Sequence, residues 1–172
     1  MESVSNNSNY SLLPNYRCDR VIDINVEELK RGGVTALALD LDSTLTHHGK
    51  HDIDEATVAF LQDSGFILII ATNRLNGIDD SIIKALKPSY AQHAEPNMRK
   101  PAASYYQKLS QESGLELSQI CMVGDRLLTD VVGANKVGMK TIWVKNIGND
   151  PWYTKLFAIR PIERFIVKIL SS

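Results

Sequence analysis

The sequence predicts an α/β fold: a central parallel sheet with helices on both faces. Three observations carry that prediction. Short apolar runs alternate along the chain with segments of helical period. The runs are apolar almost throughout, as strands buried on both faces must be. Glycines stand where the helical segments stop. At 172 residues the chain suits one domain with a proper core.

Residues 1–20, rich in Ser and Asn at their start, are expected to form a flexible N-terminal segment. Val21 to Leu29 offers a short apolar entry and one helical turn. Val34-Thr-Ala-Leu-Ala-Leu39 is the first buried strand. Asp54 to Asp63 reads as a helix, with Asp52 or Asp54 near its N-cap, Val58, Phe60 and Leu61 as its apolar contacts and Gly65 as its stop. Phe66 to Ala71 is the second strand, and Ile78 to Leu86 a short amphipathic helix with Asp79 and Asp80 in its first turn, where they favour the dipole. Ser89 to His93 is a short third strand. Pro101 is expected to open a helix, which Ala102, Tyr105, Tyr106 and Leu109 anchor and Gly114 closes. Ile120 to Val123 is the fourth strand, Thr129 to Val137 a helix ended by Gly138, and Thr141 to Val144 the fifth strand.

Composition narrows the function classes. The 44% hydrophobic and 23% charged shares are those of a soluble globular protein. Nineteen basic residues face 20 acidic ones, so no global charge draws the chain to nucleic acid. Cys18 and Cys121 show no metal-type spacing and read as free thiols of a reducing compartment. The Ser/Asn-rich start lacks the pattern of a secretory signal, and the longest apolar run is too short to cross a bilayer. A cytoplasmic protein is expected, with peripheral membrane contact left open.

Chemistry-bearing residues recur where the strands end. Asp40-Leu41-Asp42-Ser43-Thr44 follows the first strand, at the edge where open α/β sheets bind ligands. Two aspartates so close repel unless a cation or proton sits between them, and Mg²⁺ suits oxygen-only surroundings; capping of the next turn is the alternative. Thr72-Asn73 ends the second strand, offering a hydroxyl and N–H groups to phosphate oxygens. Lys100 precedes Pro101 at an expected helix start, where a cation is disfavoured unless an anion is near. Gly124-Asp125 leaves the fourth strand, and Asp130 opens the next helix as either a site acid or a cap.

That order (DxDST, Thr-Asn, Lys-Pro, GDxxxxD) resembles the haloacid dehalogenase-like (HAD) phosphatase superfamily. The Lys-Pro step, Gly124-Asp125-Arg126-Leu127-Leu128-Thr129-Asp130 with the residues after it, and Ile162-Glu163-Arg164 resemble the YqeG-like family of its subfamily IIIA. The resemblance implies a HAD-like Rossmannoid three-layer sandwich and a Mg²⁺-dependent phosphomonoester hydrolase. It further implies that Asp40 is the nucleophile, Asp42 the general acid/base, Thr72 and Lys100 the phosphoryl-holding pair, and Asp40, Asp125 and Asp130 the metal acids. Asp42 would join the metal through its main-chain carbonyl. Asn73 and Arg126 are further candidates for substrate contact, and Arg74 lies beside the second motif.

Only 30 positions separate Asp42 from Thr72, and 28 separate Thr72 from Lys100. Neither gap holds an inserted cap domain, so a capless domain over residues 21–150 and a bulky substrate are expected. Residues 151–172 carry Lys155, Arg160, Arg164 and Lys168 among aromatics such as Trp152, Tyr153 and Phe157. This basic amphipathic tail suits packing on the domain or on an anionic membrane. The YqeG-like family is similar to phosphatidylglycerophosphate phosphatases, which makes a lipid phosphate the leading substrate. His47, His48 and His51 read either as solvated loop residues or as a metal cluster or substrate contact. Two alternatives stay open: a receiver-like phosphoacceptor, and a HAD-fold binding or regulatory protein with little turnover.

Overall fold

The computed structural model describes residues 1–3, 12–47, 50 and 52–147. In chain order the strands and helices are β1 (Glu2–Ser3), β2 (Tyr16–Cys18), α1 (Val26–Arg31), β3 (Ala36–Leu39), α2 (Glu55–Asp63), β4 (Ile67–Ala71), α3 (Asp80–Leu86), β5 (Tyr90–Gln92), α4 (Ala103–Ser113), β6 (Ile120–Gly124), a π-helical turn (Leu127–Val132) running into α5 (Gly133–Asn135), and β7 (Lys140–Val144).

The sheet order is β1-β2-β7-β6-β3-β4-β5. All pairings from β2 to β5 across the sheet are parallel, and only β1 runs antiparallel. From β3 the chain builds outward through β4 and β5, then crosses to the other side of β3 to form β6 and β7. The order therefore reverses at β3/β6, and a crevice opens there beyond the strand ends.

Strand residues alternate between two packed layers. Leu37, Leu39, Leu68, Ile70, Cys121, Val123 and Ile142 face one core, covered by Leu29, Leu61, Ile82 and Leu86 from α1, α2 and α3. Ala36, Ala38, Ile69, Ala71, Ile120 and Met122 face the other, against Tyr105, Tyr106, Leu109 and Ala134 from α4 and α5. The period of two along each strand thus yields a three-layer α/β/α sandwich.

Local chemistry explains the helix limits. Asp54 caps α2 by accepting a hydrogen bond from the Thr57 N–H at 2.9 Å. Gly114 ends α4 in the left-handed conformation, at φ 68°, as a residue without Cβ readily does.

Three expectations change. The loose end expected over residues 1–20 does not hold at Tyr16–Cys18, which pairs in parallel with β7. Asn15 secures it, its Oδ1 accepting from the Thr141 N–H at 2.9 Å. A three-residue strand has no periodicity to read; only its pairing within the sheet reveals it. Pro101 does not open α4: the Lys100–Pro101 peptide is cis, Arg99 to Ala102 forms a turn, and Ala102 is the exposed N-cap. The helix expected from Thr129 starts two residues earlier, with π geometry, because the Asp130 side chain ties back to the Arg126 N–H at 3.0 Å. The tail 151–172, with His48 and His51, lies outside the described residues.

Candidate active site

Because β3, β4 and β6 are adjacent and parallel, Asp40, Thr72 and Asp125, each following one of them, emerge at one edge of the sheet. Asp40 continues the ladder, its N–H donating to Val123 O at 2.9 Å. The chain then winds tightly, with the N–H groups of Thr44, Leu45 and Thr46 all converging on Leu41 O. Ser43 makes that turn in the left-handed region, at φ 66°. Such a conformation costs on the order of 1–3 kcal/mol in a non-glycine residue and clusters at functional sites.

Lys100 is the centre of the arrangement. It is 2% exposed, and its Nζ donates to Asp40 Oδ1 at 2.8 Å, Asp130 Oδ1 at 2.6 Å and Ala71 O at 2.8 Å. Those bonds use all three of its donors. Burial works against the charge, but Asp130 and Asp40 outweigh it and hold the ammonium well above the usual lysine range. The Asn73 amide fixes the Lys100 main chain, Oδ1 accepting from its N–H at 2.9 Å and Nδ2 donating to its carbonyl at 3.0 Å. The anion expected beside Lys100 is therefore present as two carboxylates, although the helix end used to infer it lies further on.

Asp130 serves both roles left open for it. Oδ2 caps the π-helical turn through the Arg126 N–H, and Oδ1 grips Lys100. Gly124 is needed for this, since a Cβ there would overlap the Asp130 carboxylate.

Asp40, Asp125 and Asp130 are all buried and bring carboxylate oxygens within 4.8 Å of one another. Thr44 Oγ1 bridges two of them, lying 3.3 Å from Asp40 Oδ2 and 3.2 Å from Asp125 Oδ1. Asp125 is steadied from behind by Trp143 Nε1, which donates to its main-chain carbonyl at 2.9 Å. Burial pushes the Asp40 carboxyl up to about 7; Lys100 pulls it down, while Asp130 and Asp125 push it up. Three carboxyl groups meet one lysine here, and all the side-chain donors gathered beside it are oxygen. That set fits a hard divalent cation.

Asp42 departs from this cluster. Its carboxylate turns to Arg74, so any metal role for it rests on the main-chain carbonyl. A cavity of about 170 Å³ opens at Asp40, lined by Asp40, Asp42, Thr72, Asn73, Lys100, Arg126 and Thr129; Asp125 and Asp130 lie outside its lining. Every expected catalytic and substrate-contacting residue thus borders one space. Thr44 and Thr129 were not singled out from the sequence; the hydroxyls beside the aspartate motifs were the available signal. His47 is exposed and does not line the cavity. Burial pushes both thiols up, Cys18 to about 12, which disfavours the thiolate form at each.

The comparisons agree with this geometry. Residues 97–161 match the family model described as HAD-hydrolase-like. The chain is thus similar to proteins of the haloacid dehalogenase-like superfamily. Within it, the chain is similar to the probable phosphatase YqeG of Bacillus subtilis, at 24% identity over 92% of this chain and 91% of that one. It is also similar to the chloroplastic/mitochondrial phosphatidylglycerophosphate phosphatase 1 of Arabidopsis thaliana, at 25% identity over 93% of this chain and 47% of that longer protein. An uncharacterized protein from Listeria monocytogenes serotype 4b shares the fold, with a TM-score of 0.55 at 17% identity over 69% of this chain and 84% of that one. Among the described residues no helix is long and apolar enough to cross a membrane.

Proposed function

We propose that this phosphatase is a Mg²⁺-dependent phosphomonoester hydrolase that works through an aspartyl-phosphate on Asp40. The observation that carries the reading is the Asp40 carboxylate at the cavity, with Oδ1 against Lys100 and Oδ2 against the Thr44 hydroxyl, which also reaches Asp125. Asp40, Asp125 and Asp130 would hold the metal with the Asp42 carbonyl, and bound Mg²⁺ would offset the repulsion between a carboxylate nucleophile and a phosphate.

The chain's own groups supply the remaining steps. Asp40 attacks phosphorus in line and forms an acyl phosphate, dividing hydrolysis into two easier displacements. Lys100 neutralises charge as it gathers on the phosphoryl oxygens. Thr72, Asn73 and Arg126 line the cavity where those oxygens sit. Asp42 protonates the leaving oxygen and then takes a proton from the attacking water.

A cavity of about 170 Å³ admits a phosphoryl group rather than a whole organic substrate, for which pockets run about 300–1,000 Å³. Among the described residues only α2 and β4 separate the first two motifs, and α3 and β5 the next two, which leaves no room there for an inserted cap domain. This supports a bulky substrate, and the similarity to a phosphatidylglycerophosphate phosphatase supports a phosphate carried on a lipid.

The test is a Mg²⁺ assay of phosphatidylglycerophosphate vesicles beside soluble phosphomonoesters and phosphoproteins, with Asp40→Asn and Asp42→Asn in parallel. Asp40→Asn is expected to abolish turnover with the fold intact. Asp42→Asn should slow it strongly while Asp40 still traps phosphate. Near-normal activity of the Asp40 variant would remove Asp40 from the mechanism, and no hydrolysis across the panel would favour a binding or regulatory protein.

A further inference from the structure

Arg74 follows the Thr72-Asn73 pair and takes no part in the mechanism above. Its guanidinium grips Asp42 at two points, Nε donating to Oδ2 at 3.1 Å and Nη2 to Oδ1 at 2.7 Å. The same Nη2 reaches Thr46 Oγ1 at 3.0 Å and the main-chain carbonyl of Lys50 at 2.8 Å. One side chain therefore ties the acid/base of the first motif to the strap that follows it. The root of Arg74 is also fixed: its N–H donates to Thr72 Oγ1 at 3.3 Å, and its carbonyl accepts from the Ala94 N–H at 3.0 Å.

The pair is sheltered, with the Arg74 side chain 12% exposed and that of Asp42 26% exposed. A planar fork on both carboxylate oxygens sets the plane of the carboxyl group as well as its position, which a point charge does not.

We propose that Arg74 is a positioning residue that acts through Asp42, holding the acid/base in one orientation at the cavity edge and pinning Thr46 and Lys50 beside it. The kinetic half of this rests on the phosphatase reading above; the strap half does not.

The kinetic test is a double-mutant cycle of Arg74→Ala and Asp42→Asn, on whichever phosphomonoester the wild type hydrolyses best with Mg²⁺. Misplacing a catalytic group by about 1 Å costs up to roughly 100-fold, so Arg74→Ala should lower kcat by about 10- to 100-fold and leave KM within about threefold. Arg74→Lys should recover only part of that loss, because an ammonium cannot grip both oxygens. In the Asp42→Asn background, followed by single-turnover phosphoenzyme formation, Arg74→Ala should cost no more than about twofold. An equal loss in both backgrounds would overturn the action through Asp42, leaving a merely structural arginine.

The strap is tested without turnover. Arg74 holds the carbonyl at which trypsin cuts after Lys50, so Arg74→Ala should speed cleavage there at least severalfold, and an unchanged rate would overturn the strap assignment. Wild-type activity alone decides the phosphatase reading, whereas the ratios within the cycle decide Arg74.

Discussion

Replacing Lys100 with methionine keeps the length of the side chain and removes its charge, and the consequences follow from its three bonds. Ala71 O loses its donor from Nζ. Asp40 and Asp130 lose a cation at 2.8 and 2.6 Å in a desolvated space. Breaking a buried ion pair from one side costs about 3–5 kcal/mol, because the remaining charge has no compensation. The cost should depend on pH, with a sign set by Asp40. That carboxyl already stands at about 7 in the fold, well above its unfolded value, and Lys100 is the group pulling it down. Removing the lysine raises it further. An acid whose pKa is raised by folding binds more protons in the native state, so its stability contribution is present at low pH and lost as pH rises through the folded pKa. Lys100→Met should therefore lose less stability near pH 5 than near pH 8. Urea denaturation of the metal-free protein at both pH values measures it, and turnover with Mg²⁺ should fall by at least about 10²–10³. A pH-independent stability loss, or one that shrinks toward alkaline pH, would refute this reasoning about the buried acids.

Two further outcomes are expected. Mg²⁺ must displace a proton from Asp40 below about pH 7, so its affinity should be roughly tenfold weaker at pH 6 than at pH 8. Titration calorimetry in buffers of different ionisation enthalpy should find nearly one proton released per metal at pH 6; equal affinities and no proton release would count against Asp40 as a ligand. Gly124→Ala places a methyl group where the Asp130 carboxylate sits, so it should cost about 1–3 kcal/mol by overpacking and reduce turnover by displacing the Asp130 grip on Lys100. Wild-type stability and rate in that variant would show that Asp130 can move freely.

Much of the architecture is legible along the chain because its causes are local. Apolar runs such as Val34 to Leu39 and Phe66 to Ala71 have one low-energy use, as strands covered on both faces. Alternation with helices forces parallel pairing, and parallel pairing puts Asp40, Thr72 and Asp125 at one edge. Hence the order of motifs along the chain already implied a shared site.

What the sequence alone determined is this frame: the alternation of strands and helices that sets the motifs at strand ends along one sheet edge, and the residue types that meet there. Tertiary structure decided the partners. Lys100 and Asp130 are 30 positions apart, Arg74 and Asp42 32, and Thr44 and Asp125 81. No periodicity relates such pairs, and each charged group had several other possible partners. The choice among them was made by packing: Tyr105 and Tyr106 beneath the strand ends, Gly124 leaving room for Asp130, and β2 closing the sheet beside β7. Backbone pattern acts over a few residues, whereas a hydrogen bond is formed or lost over about 1 Å, and that precision exists only when the layers have closed.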